Sequence, residues 1–285
     1  MTPLPKIEAL SDSVTLYLGD CRELIPTVGK VDTIITSPPY NMGVSAGGGF
    51  SSKFVRNHGH YDPAGGYRKR GGGGKWSGGD LADGYGTHDD AMPWAEYEAW
   101  QREIVGLCWS QLTETGAIFY NHKPRPQACE VWLPLALNPG LPLRQIIIWA
   151  RAGGINFAPT HYVPTHEWVL VIAKPGFRLR DKAASGAGDV WYIPQESNTN
   201  HPAPFPVGLP MQILETTVPG RVFDPFMGSG STGVAAVKHG RPFAGIEIDP
   251  KHFDTARRRI GEAMKQTDLF IERPKEAVQI DLLTK

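Results

Sequence analysis

Four residues that follow a buried strand could hold an aromatic amine in a fixed orientation. The apolar run 31–36 (VDTIIT) predicts the strand, and Ser37, Pro38, Pro39 and Tyr40 follow it directly. Because two prolines restrict the backbone, they aim the Ser37 hydroxyl and the Pro38 carbonyl in set directions. Two acceptors on the N–H bonds of an amine, with the Tyr40 ring stacked on its base, would activate the nitrogen by positioning and electrostatics. A plain proline-rich turn is the alternative.

A glycine-rich turn near the other end of the chain could hold a nucleoside. Gly228 and Gly230 lie between a predicted strand at 221–226 and a predicted helix at 231–239, where the backbone can approach a ligand closely. Glu247 ends the next strand, and a carboxylate there can accept hydrogen bonds from ribose hydroxyls. The absence of GxGxxG and of the Lys-Ser/Thr pair of a phosphate loop disfavours dinucleotides and ATP. A strand–helix turn without a ligand is the alternative.

Strands and helices alternate along most of the chain, which predicts an α/β fold with a mostly parallel sheet covered on both faces by helices. The length fits a single catalytic domain over residues 1–285. The predicted strands are 14–18, 31–36, 117–120, 146–150, 168–173, 221–226 and 242–248. The predicted helices are 93–112, 209–218, 231–239 and 250–266.

A glycine-rich basic insertion at residues 42–92 interrupts this alternation. Its segment 42–79 holds thirteen glycines and six Lys or Arg residues against one acidic residue, Asp62, with aromatic residues interleaved. A flexible linker has such a glycine content. A loop that becomes ordered on a polyanion has such a mixture of cations and stacking rings. Both interpretations remain open from composition.

Overall composition excludes several other classes of protein. The 29 basic and 29 acidic side chains cancel, so nucleic-acid binding would depend on a local basic patch. Cys21, Cys108 and Cys129 are too widely spaced for a disulfide framework or a zinc site, and we expect no metal. The sequence contains no apolar run of bilayer length and no secretory signal, which predicts a soluble cytoplasmic protein without membrane partners.

Both motifs together resemble those of the beta class of DNA amino-methyltransferases, the N4-cytosine/N6-adenine methyltransferase family. TSPPYN at 36–41 resembles the catalytic motif, FDPFMGSGST at 223–232 the cofactor loop, and GIEID at 245–249 the ribose-binding strand end. The catalytic motif precedes the cofactor loop, as in the circularly permuted members. The resemblance therefore implies a Rossmann-like S-adenosylmethionine-dependent methyltransferase fold, circularly permuted, with a mostly parallel seven-stranded sheet.

The resemblance also assigns functional residues. It implies S-adenosylmethionine as cofactor and a flipped base in double-stranded DNA as target, as in restriction-modification systems. Ser37, Pro38, Pro39 and Tyr40 match the catalytic positions. The cofactor positions fall on Asp20, Cys21, His201, Pro202, Phe205, Asp224, Phe226, Gly228, Ser229, Gly230, Thr232 and Glu247. In this family Ser at the first motif position usually accompanies N4 of cytosine, and Asp or Asn accompanies N6 of adenine; we expect cytosine, with adenine as the alternative.

The chain departs from the family where a target-recognition region is usual, because only the short segment 175–200 is available for it. Part of the recognition is then expected from the basic insertion, through Lys53, Arg56, Arg68, Lys69, Arg70 and Lys75. The segment 156–167, with His161 and His166, either faces the DNA as well or is simply exposed. Members of the class often form dimers, so a homodimer is one possibility, and the sequence leaves the oligomeric state open.

The C-terminal tail, residues 267–285, follows the last predicted helix. Residues 266–270 (QTDLF) resemble the short motif by which bacterial proteins dock into the DNA sliding clamp, with Gln266, Leu269 and Phe270 as contacts. A tail that folds back on its own domain is the alternative. Two further functions are a methyltransferase for another amine or amide, and an inactive DNA-binding module. The motif order disfavours the first, and the intact motif residues disfavour the second.

Overall fold

The computed structural model describes residues 5–41, 44–45, 49–50, 92–126, 131–151, 161–194 and 205–268. A single nine-stranded sheet forms its centre. Its strands are β1 (Lys6–Ser11), β2 (Val14–Leu18), β3 (Val31–Thr36), β4 (Leu112–His122), β5 (Leu143–Ala150), β6 (His166–Ala173), β7 (Val190–Tyr192), β8 (Val222–Asp224) and β9 (Phe243–Glu247). They are ordered β1-β2-β9-β8-β3-β4-β6-β5-β7 across the sheet.

The strand order brings the two ends of the chain together. β8 and β9, from the C-terminal part, lie between β2 and β3, and all pairings from β2 to β4 are parallel. The pairings β1–β2, β4–β6 and β6–β5 are antiparallel, whereas β7 adds to β5 in parallel. The mostly parallel, permuted α/β fold is thereby confirmed. The carboxyl ends of β3 and β8, which carry the two motifs, are neighbours.

The sheet has two strands more than the seven predicted, one at each edge. β1 pairs with β2 after a two-residue turn, and none of its side chains is fully buried, so no apolar run marks it. β7 has three residues and only one buried side chain, Trp191. β4 is also longer than its predicted core at 117–120, because its first residues pair with the start of β3. Segment 175–200 therefore contributes an edge strand to the sheet.

Helices cover both faces of the sheet, as predicted. The described residues form five: α1 (Cys21–Val28), α2 (Trp94–Gln111), α3 (Gly208–Thr216), α4 (Ser231–Lys238) and α5 (Pro250–Asp268). α3, α4 and α5 pack on one face through side chains such as Ile213, Val234 and Phe253. α1 and α2 pack on the other face through Ile25 and Ile104. Each such side chain, fully buried, stabilises the fold by about 1.5–3 kcal/mol.

α1 was not predicted from the sequence. Pro26 lies inside it, and a proline without a backbone N–H ordinarily argues against a helix. The side chain of Asp20 caps this helix by accepting a hydrogen bond from the Arg22 backbone N–H at 2.9 Å. Leu24, Ile25 and Val28 form its buried face. Packing of that apolar face therefore outweighs the local preference of Pro26 against a helix.

No helix in the described ranges combines the length and the apolar character that crossing a membrane requires.

Candidate active site

The residues that follow β3 meet polar side chains from β4 and β6. β3 pairs with β4 in parallel up to Thr36 and Tyr120, and β6 pairs with β4 so that Val169 faces Asn121. The end of β4 and the start of β6 therefore lie beside the Ser37–Tyr40 turn.

Four side chains form one hydrogen-bonded cluster at this edge. The Ser37 Oγ lies 2.9 Å from the Tyr40 hydroxyl, which donates to Glu167 Oε2 at 2.8 Å. The Asn121 amide donates to Tyr40 at 2.5 Å and to Glu167 at 2.9 Å. The Arg151 Nε lies 3.2 Å from the other Glu167 oxygen. The catalytic motif is thus held by charged and polar groups from strands far away in sequence.

A second chain of hydrogen bonds fixes the backbone of the motif. The Tyr97 hydroxyl, on α2, donates to the Pro39 carbonyl at 2.7 Å and lies 2.8 Å from His122 Nε2. Because the only hydroxyl proton goes to the carbonyl, Nε2 must be the protonated nitrogen. The other ring nitrogen then accepts from the Lys123 backbone N–H at 2.9 Å. Burial lowers the pKa of His122 to about 3, so this imidazole is neutral at physiological pH.

The end of the motif is held by a cation and by an unusual backbone conformation. Arg125 donates to the carbonyls of Tyr40 at 3.1 Å and of Asn41 at 2.8 Å. Asn41 has a φ of 53°, a left-handed conformation that asparagine tolerates better than most residues. Its buried side chain donates to the Met92 carbonyl at 2.8 Å. The entry and exit of the basic insertion are therefore joined at the catalytic motif.

The Tyr40 ring also has close neighbours. The imidazole of His122 lies 4.5 Å from it, centroid to centroid, with the planes tilted by 38°. The ammonium of Lys123 lies 5.4 Å from the ring centroid. The ring is thus held by its surroundings as well as by its hydroxyl, which favours a fixed stacking surface.

The second motif begins with a buried carboxylate. Asp224, at the end of β8, accepts hydrogen bonds from the Thr36 hydroxyl at 2.8 Å, the Thr232 hydroxyl at 2.7 Å and the Phe226 backbone N–H at 3.0 Å. Burial raises the pKa of Asp224 to about 6, although these three donors oppose the shift. Asp224 and Thr232 therefore shape the turn from within the protein.

The glycines of the turn meet steric requirements that other residues do not. Gly228 and Gly230 have φ values of 54° and 86°. A Cβ atom on Gly230 would lie 3.0 Å from Ala256 of α5, so the turn and this helix are in direct backbone contact. Arg259, also on α5, donates to the carbonyl and hydroxyl of Ser229 at 2.8 Å each. Phe226 packs edge-on against Trp100 of α2, with 5.7 Å between ring centroids.

Glu247, at the end of β9, faces the same turn. One carboxylate oxygen accepts from the Gly228 N–H at 2.8 Å, and the other accepts from the backbone N–H groups of Ile248 at 3.0 Å and Asp249 at 2.9 Å. Burial raises the pKa of Glu247 to about 7, more than these backbone donors lower it. A buried carboxylate beside a glycine-rich turn suits a ligand that presents hydroxyl groups.

Asp20 lies beside Glu247, as the predicted permutation requires. β2 and β9 pair in parallel, and the Gly19 N–H donates to the Glu247 carbonyl at 2.9 Å. The Asp20 carboxylate also forms an ion pair with Arg22 at 2.7 Å. The next residue, Cys21, is buried, and this burial raises the pKa of its thiol. Two acidic residues from opposite ends of the chain therefore flank one turn.

Four of the remaining predicted residues lie in the described part of the chain. Phe205 is partly buried and packs against the core beneath α3 and α4. His161 and His166 are both half-buried, and exposed residues such as Tyr162 lie between them. That this segment faces the DNA stays a prediction. His201 and Pro202, the six basic residues of the insertion, and the tail residues Leu269 and Phe270 lie outside the described residues; Gln266 is exposed near the end of α5.

Comparison with known proteins identifies the family. The N6/N4 methyltransferase family, described as DNA methylase, matches residues 31–258, which include both motifs. This chain belongs to that family. It is an S-adenosylmethionine-dependent methyltransferase of the class that modifies the exocyclic amino groups of cytosine or adenine in DNA.

A curated relative matches most of the length of this DNA methylase, and two solved structures have a similar fold. The type II methyltransferase M.BglII of Bacillus subtilis is 25% identical over 284 residues, which cover 85% of this chain and 67% of the relative. The structure of PvuII DNA methyltransferase (cytosine-N4-specific) superposes with a TM-score of 0.62 at 17% identity and covers 90% of this chain and 91% of that one. TTHA0409 of Thermus thermophilus, complexed with S-adenosyl-L-methionine, has a TM-score of 0.54 at 20% identity, with coverages of 87% and 95%.

Several residues of the methylase site were missed in the sequence. Asn121 could have been found, because it is a polar residue at the end of an apolar strand that lies next to β3 in a parallel sheet. Glu167 carried a similar signal as an acid at the start of the apolar run WVLVIA. Tyr97, Arg125 and Arg151 carried none, since their contacts depend on where α2 and the strand ends lie in space.

Proposed function

We propose that this DNA methylase transfers a methyl group from S-adenosylmethionine to N4 of a cytosine flipped out of duplex DNA. The observation that carries the proposal is the hydrogen bond between Thr36 and Asp224, 2.8 Å long and buried. It fixes the residue before the SPPY motif against the first residue of the glycine-rich turn. A methyl donor held by the turn and an amine held by Ser37 therefore have to meet at adjacent strand ends.

The residues around the turn fit the cofactor. Glu247 offers carboxylate oxygens to ribose hydroxyls, and Asp20 lies at the neighbouring strand end, where it suits the adenine side. Gly230 has no room for a Cβ atom because Ala256 of α5 lies 3.0 Å from that position, so glycine there lets the turn pack directly on this helix and fixes its shape. S-adenosylmethionine, when bound, supplies an electrophilic methyl group on a sulfonium. No phosphate-binding lysine is required for such a ligand, in agreement with the sequence of the turn.

The SPPY motif would hold the target amine. Ser37 Oγ and the Pro38 carbonyl accept hydrogen bonds from the two N–H groups of the amine, and Tyr40 stacks on the base. These acceptors increase the density of the nitrogen lone pair toward the incoming carbon. Ser37 and Pro38 would hold the nitrogen in line with the methyl group that the bound cofactor supplies, so that the N–C bond would form as the S–C bond breaks, and the surplus proton on nitrogen would pass to water. Positioning and electrostatics account for the rate, with no covalent bond to the protein.

Cytosine is favoured over adenine because the first motif position is Ser37. A neutral hydroxyl at this position usually accompanies N4 methylation in this family, and the PvuII DNA methyltransferase, which has a similar fold, is cytosine-N4-specific. N6 of adenine is the alternative within the same class. Incubation of the protein with mixed-sequence DNA and labelled cofactor, followed by nucleoside mass spectrometry, tests both. N4-methylcytosine is the expected product; N6-methyladenine would move the proposal to the alternative, and no labelled nucleoside would refute it.

We infer that the basic insertion contacts the DNA. The residues at its two ends, Asn41 and Met92, are joined by a hydrogen bond at the catalytic motif, which supports a role in DNA binding for Lys53, Arg56, Arg68, Lys69, Arg70 and Lys75. Tyr162, which precedes β6, and Tyr192, at the end of β7, lie at the same end of the sheet as the catalytic motif. Their exposed fractions are 97% and 83%. Cations and exposed rings are the groups that bind phosphates and unpaired bases. Replacing Arg68, Lys69 and Arg70 by Ala should weaken DNA binding and flatten its salt dependence.

We also propose that the tail docks to the DNA sliding clamp. α5 carries the exposed Gln266 to its end, directly before Leu269 and Phe270. A pull-down with the clamp should recover the wild-type chain and lose the Leu269→Ala/Phe270→Ala variant. Equal recovery of both proteins would remove this part of the proposal.

A further inference from the structure

A buried carboxylate behind the catalytic motif has no role in the family motifs described above. Glu167 is 6% exposed and lies at the start of β6. It accepts from the Tyr40 hydroxyl at 2.8 Å and from the Asn121 amide at 2.9 Å. Its second oxygen faces the Arg151 guanidinium at 3.2 Å, and the Arg151 side chain is only 14% exposed. The removal of both charges from water costs free energy, so stability alone does not account for an ion pair beside the motif.

The cluster has only one consistent arrangement of protons. A carboxylate paired with arginine accepts hydrogen bonds and donates none, so Tyr40 must donate its single proton to Glu167. The Tyr40 oxygen can then only accept. The Ser37 hydroxyl, 2.9 Å away, must therefore be the donor in the Ser37–Tyr40 hydrogen bond. With its proton engaged there, Ser37 Oγ can only accept, in agreement with the Asn121 amide, which lies 3.4 Å away as a donor to it.

We propose that Glu167 is a positioning residue that acts through Tyr40 to make Ser37 an obligatory hydrogen-bond acceptor. The inference rests on the proposed function, since it concerns how the target base is chosen. Cytosine N4 and adenine N6 are donors, whereas the corresponding oxygens of uracil and hypoxanthine are acceptors. An acceptor-only Ser37 admits the amino bases and repels the carbonyl bases. Glu167 thus determines specificity for an amino group without touching the base.

Glu167→Gln tests this because it preserves shape while it changes the donors. The glutamine amide is expected to direct its oxygen toward Arg151 and its N–H groups toward Tyr40, and the Asn121 N–H that now donates to Glu167 has to turn away from this nitrogen, because both groups are donors. Tyr40 then accepts from the glutamine and donates to Ser37, whose own proton turns toward the base. The single-turnover rate of methyl transfer should fall about 100-fold, the scale seen when one preorganised transition-state contact is lost. The dissociation constant of the cofactor should change less than about twofold, because Glu247 and the glycine turn are untouched.

A binding measurement distinguishes a reversed hydrogen-bond direction at Ser37 from a general disturbance of the site. DNA duplexes that carry either cytosine or uracil at the methylated position, in both cases opposite an abasic site so that no base pair has to open, are titrated against the protein with S-adenosylhomocysteine present. If the target is adenine, adenine and hypoxanthine are compared in the same way. Wild type should prefer the amino base at least about tenfold, on the scale of a mismatched hydrogen bond at one base. In Glu167→Gln this preference should vanish or reverse. A merely structural role for Glu167 would weaken binding to both duplexes alike.

Asp32→Asn provides a matched control. Asp32 also accepts two hydrogen bonds, from the Arg221 N–H at 2.8 Å and the Thr113 hydroxyl at 2.9 Å, but at the opposite end of β3. This variant should lose thermal stability and keep the full base preference. Rescue is expected from Glu167→Asp, which restores a carboxylate and should recover part of the preference.

The outcomes separate the two proposals. If the wild-type protein binds cofactor and methylates no DNA, the proposed function fails. If wild type methylates DNA and Glu167→Gln keeps the wild-type rate, or keeps the preference for the amino base, the role of Glu167 is refuted and the proposed function stands.

Discussion

The Thr36 hydroxyl donates to the Asp224 carboxylate at 2.8 Å, between residues 188 positions apart in the chain. Asp224 simultaneously accepts from Thr232 and from the Phe226 backbone, so a single carboxylate organises the glycine-rich turn and connects it to the catalytic strand. The relative position of the two motifs therefore depends on one buried acid.

Removal of this acid should destabilise the protein. Asp224→Ala leaves three buried donors without their acceptor, and we expect the free energy of unfolding to fall by about 2–4 kcal/mol in urea denaturation. Thr36→Val should cost about 1 kcal/mol and slow methyl transfer as well. Thr113→Val is the control, because it removes a Thr–Asp hydrogen bond at the far end of β3. Its methyl transfer should stay at the wild-type rate; an equal loss in both threonine variants would contradict a specific link between the motifs.

Cofactor binding should depend on the protonation of Glu247. Its pKa of about 7 in the unliganded protein means that the carboxylate is half protonated at neutral pH. Because ribose hydroxyls donate to the ionised form, affinity for S-adenosylmethionine should rise about tenfold from pH 6 to pH 8. Calorimetric titration across this range measures the effect. Glu247→Gln should bind weakly at every pH, and a wild-type affinity that does not vary with pH would refute this role of Glu247.

The same carboxylate affects the stability of the unliganded protein with a definite sign. Its folded-state pKa lies above the ordinary value of 4.5, so its contribution to stability is fully present below pH 4.5 and is lost as pH rises through 7. Saturating cofactor should reverse the trend, because ligand binding favours the ionised form. Thermal melts with and without S-adenosylhomocysteine at pH 6 and pH 8 would compare the two. A larger gain in melting temperature at pH 6 than at pH 8 would contradict the expectation.

Gly230→Ala should impair the cofactor turn for a steric reason. An alanine there has both a left-handed backbone, which costs about 1–2 kcal/mol, and a Cβ atom 3.0 Å from Ala256. We expect cofactor affinity to fall at least about tenfold. Gly240→Ala is a matched control, because Gly240 has a φ of 62° but open space around its Cβ position. That variant should lose stability and bind cofactor normally; normal binding by Gly230→Ala would contradict the packing argument.

Ser37→Ala should separate chemistry from cofactor binding. Loss of the acceptor should reduce single-turnover methyl transfer at least about 100-fold, whereas the dissociation constant of the cofactor should stay within about twofold. Ser110→Ala, on the exposed side of α2, should leave both quantities unchanged. Normal turnover in Ser37→Ala would remove the proposed mechanism.

The sequence predicted the interior of the fold well because buried parallel strands are continuous apolar runs. The strand before Ser37 and the strand before Gly228 were located to within one or two residues. β1 and β7 were missed because they lie at the edges, where few side chains are buried. α1 was missed because Pro26 lies inside it, and a proline in a sequence ordinarily argues against a helix.

The site was predicted only where its residues are contiguous in the chain. Ser37, Tyr40, Gly228 and Glu247 belong to motifs, and their spacing alone indicates a chemical role. Glu167 contacts Tyr40 although 127 positions separate them in the chain, so no local sequence pattern reveals this contact. Arg259 holds Ser229 from a helix whose register is visible only in three dimensions. Polar partners of a motif are therefore the part that requires a structure.

The hydrogen bond between Asn41 and Met92 closes the basic insertion at its base. The entropic cost of closing a loop grows only slowly with its length. Because this hydrogen bond closes the loop, the stability of the catalytic scaffold should depend little on the length of the segment between Asn41 and Met92. Segments of different size and sequence can be exchanged there while the strands and the methyl-transfer chemistry are left alone. On the proposed role of this insertion in DNA recognition, new target sequences would be accessible by grafting at this one position, and selection would alter what the enzyme reads without altering how it reacts.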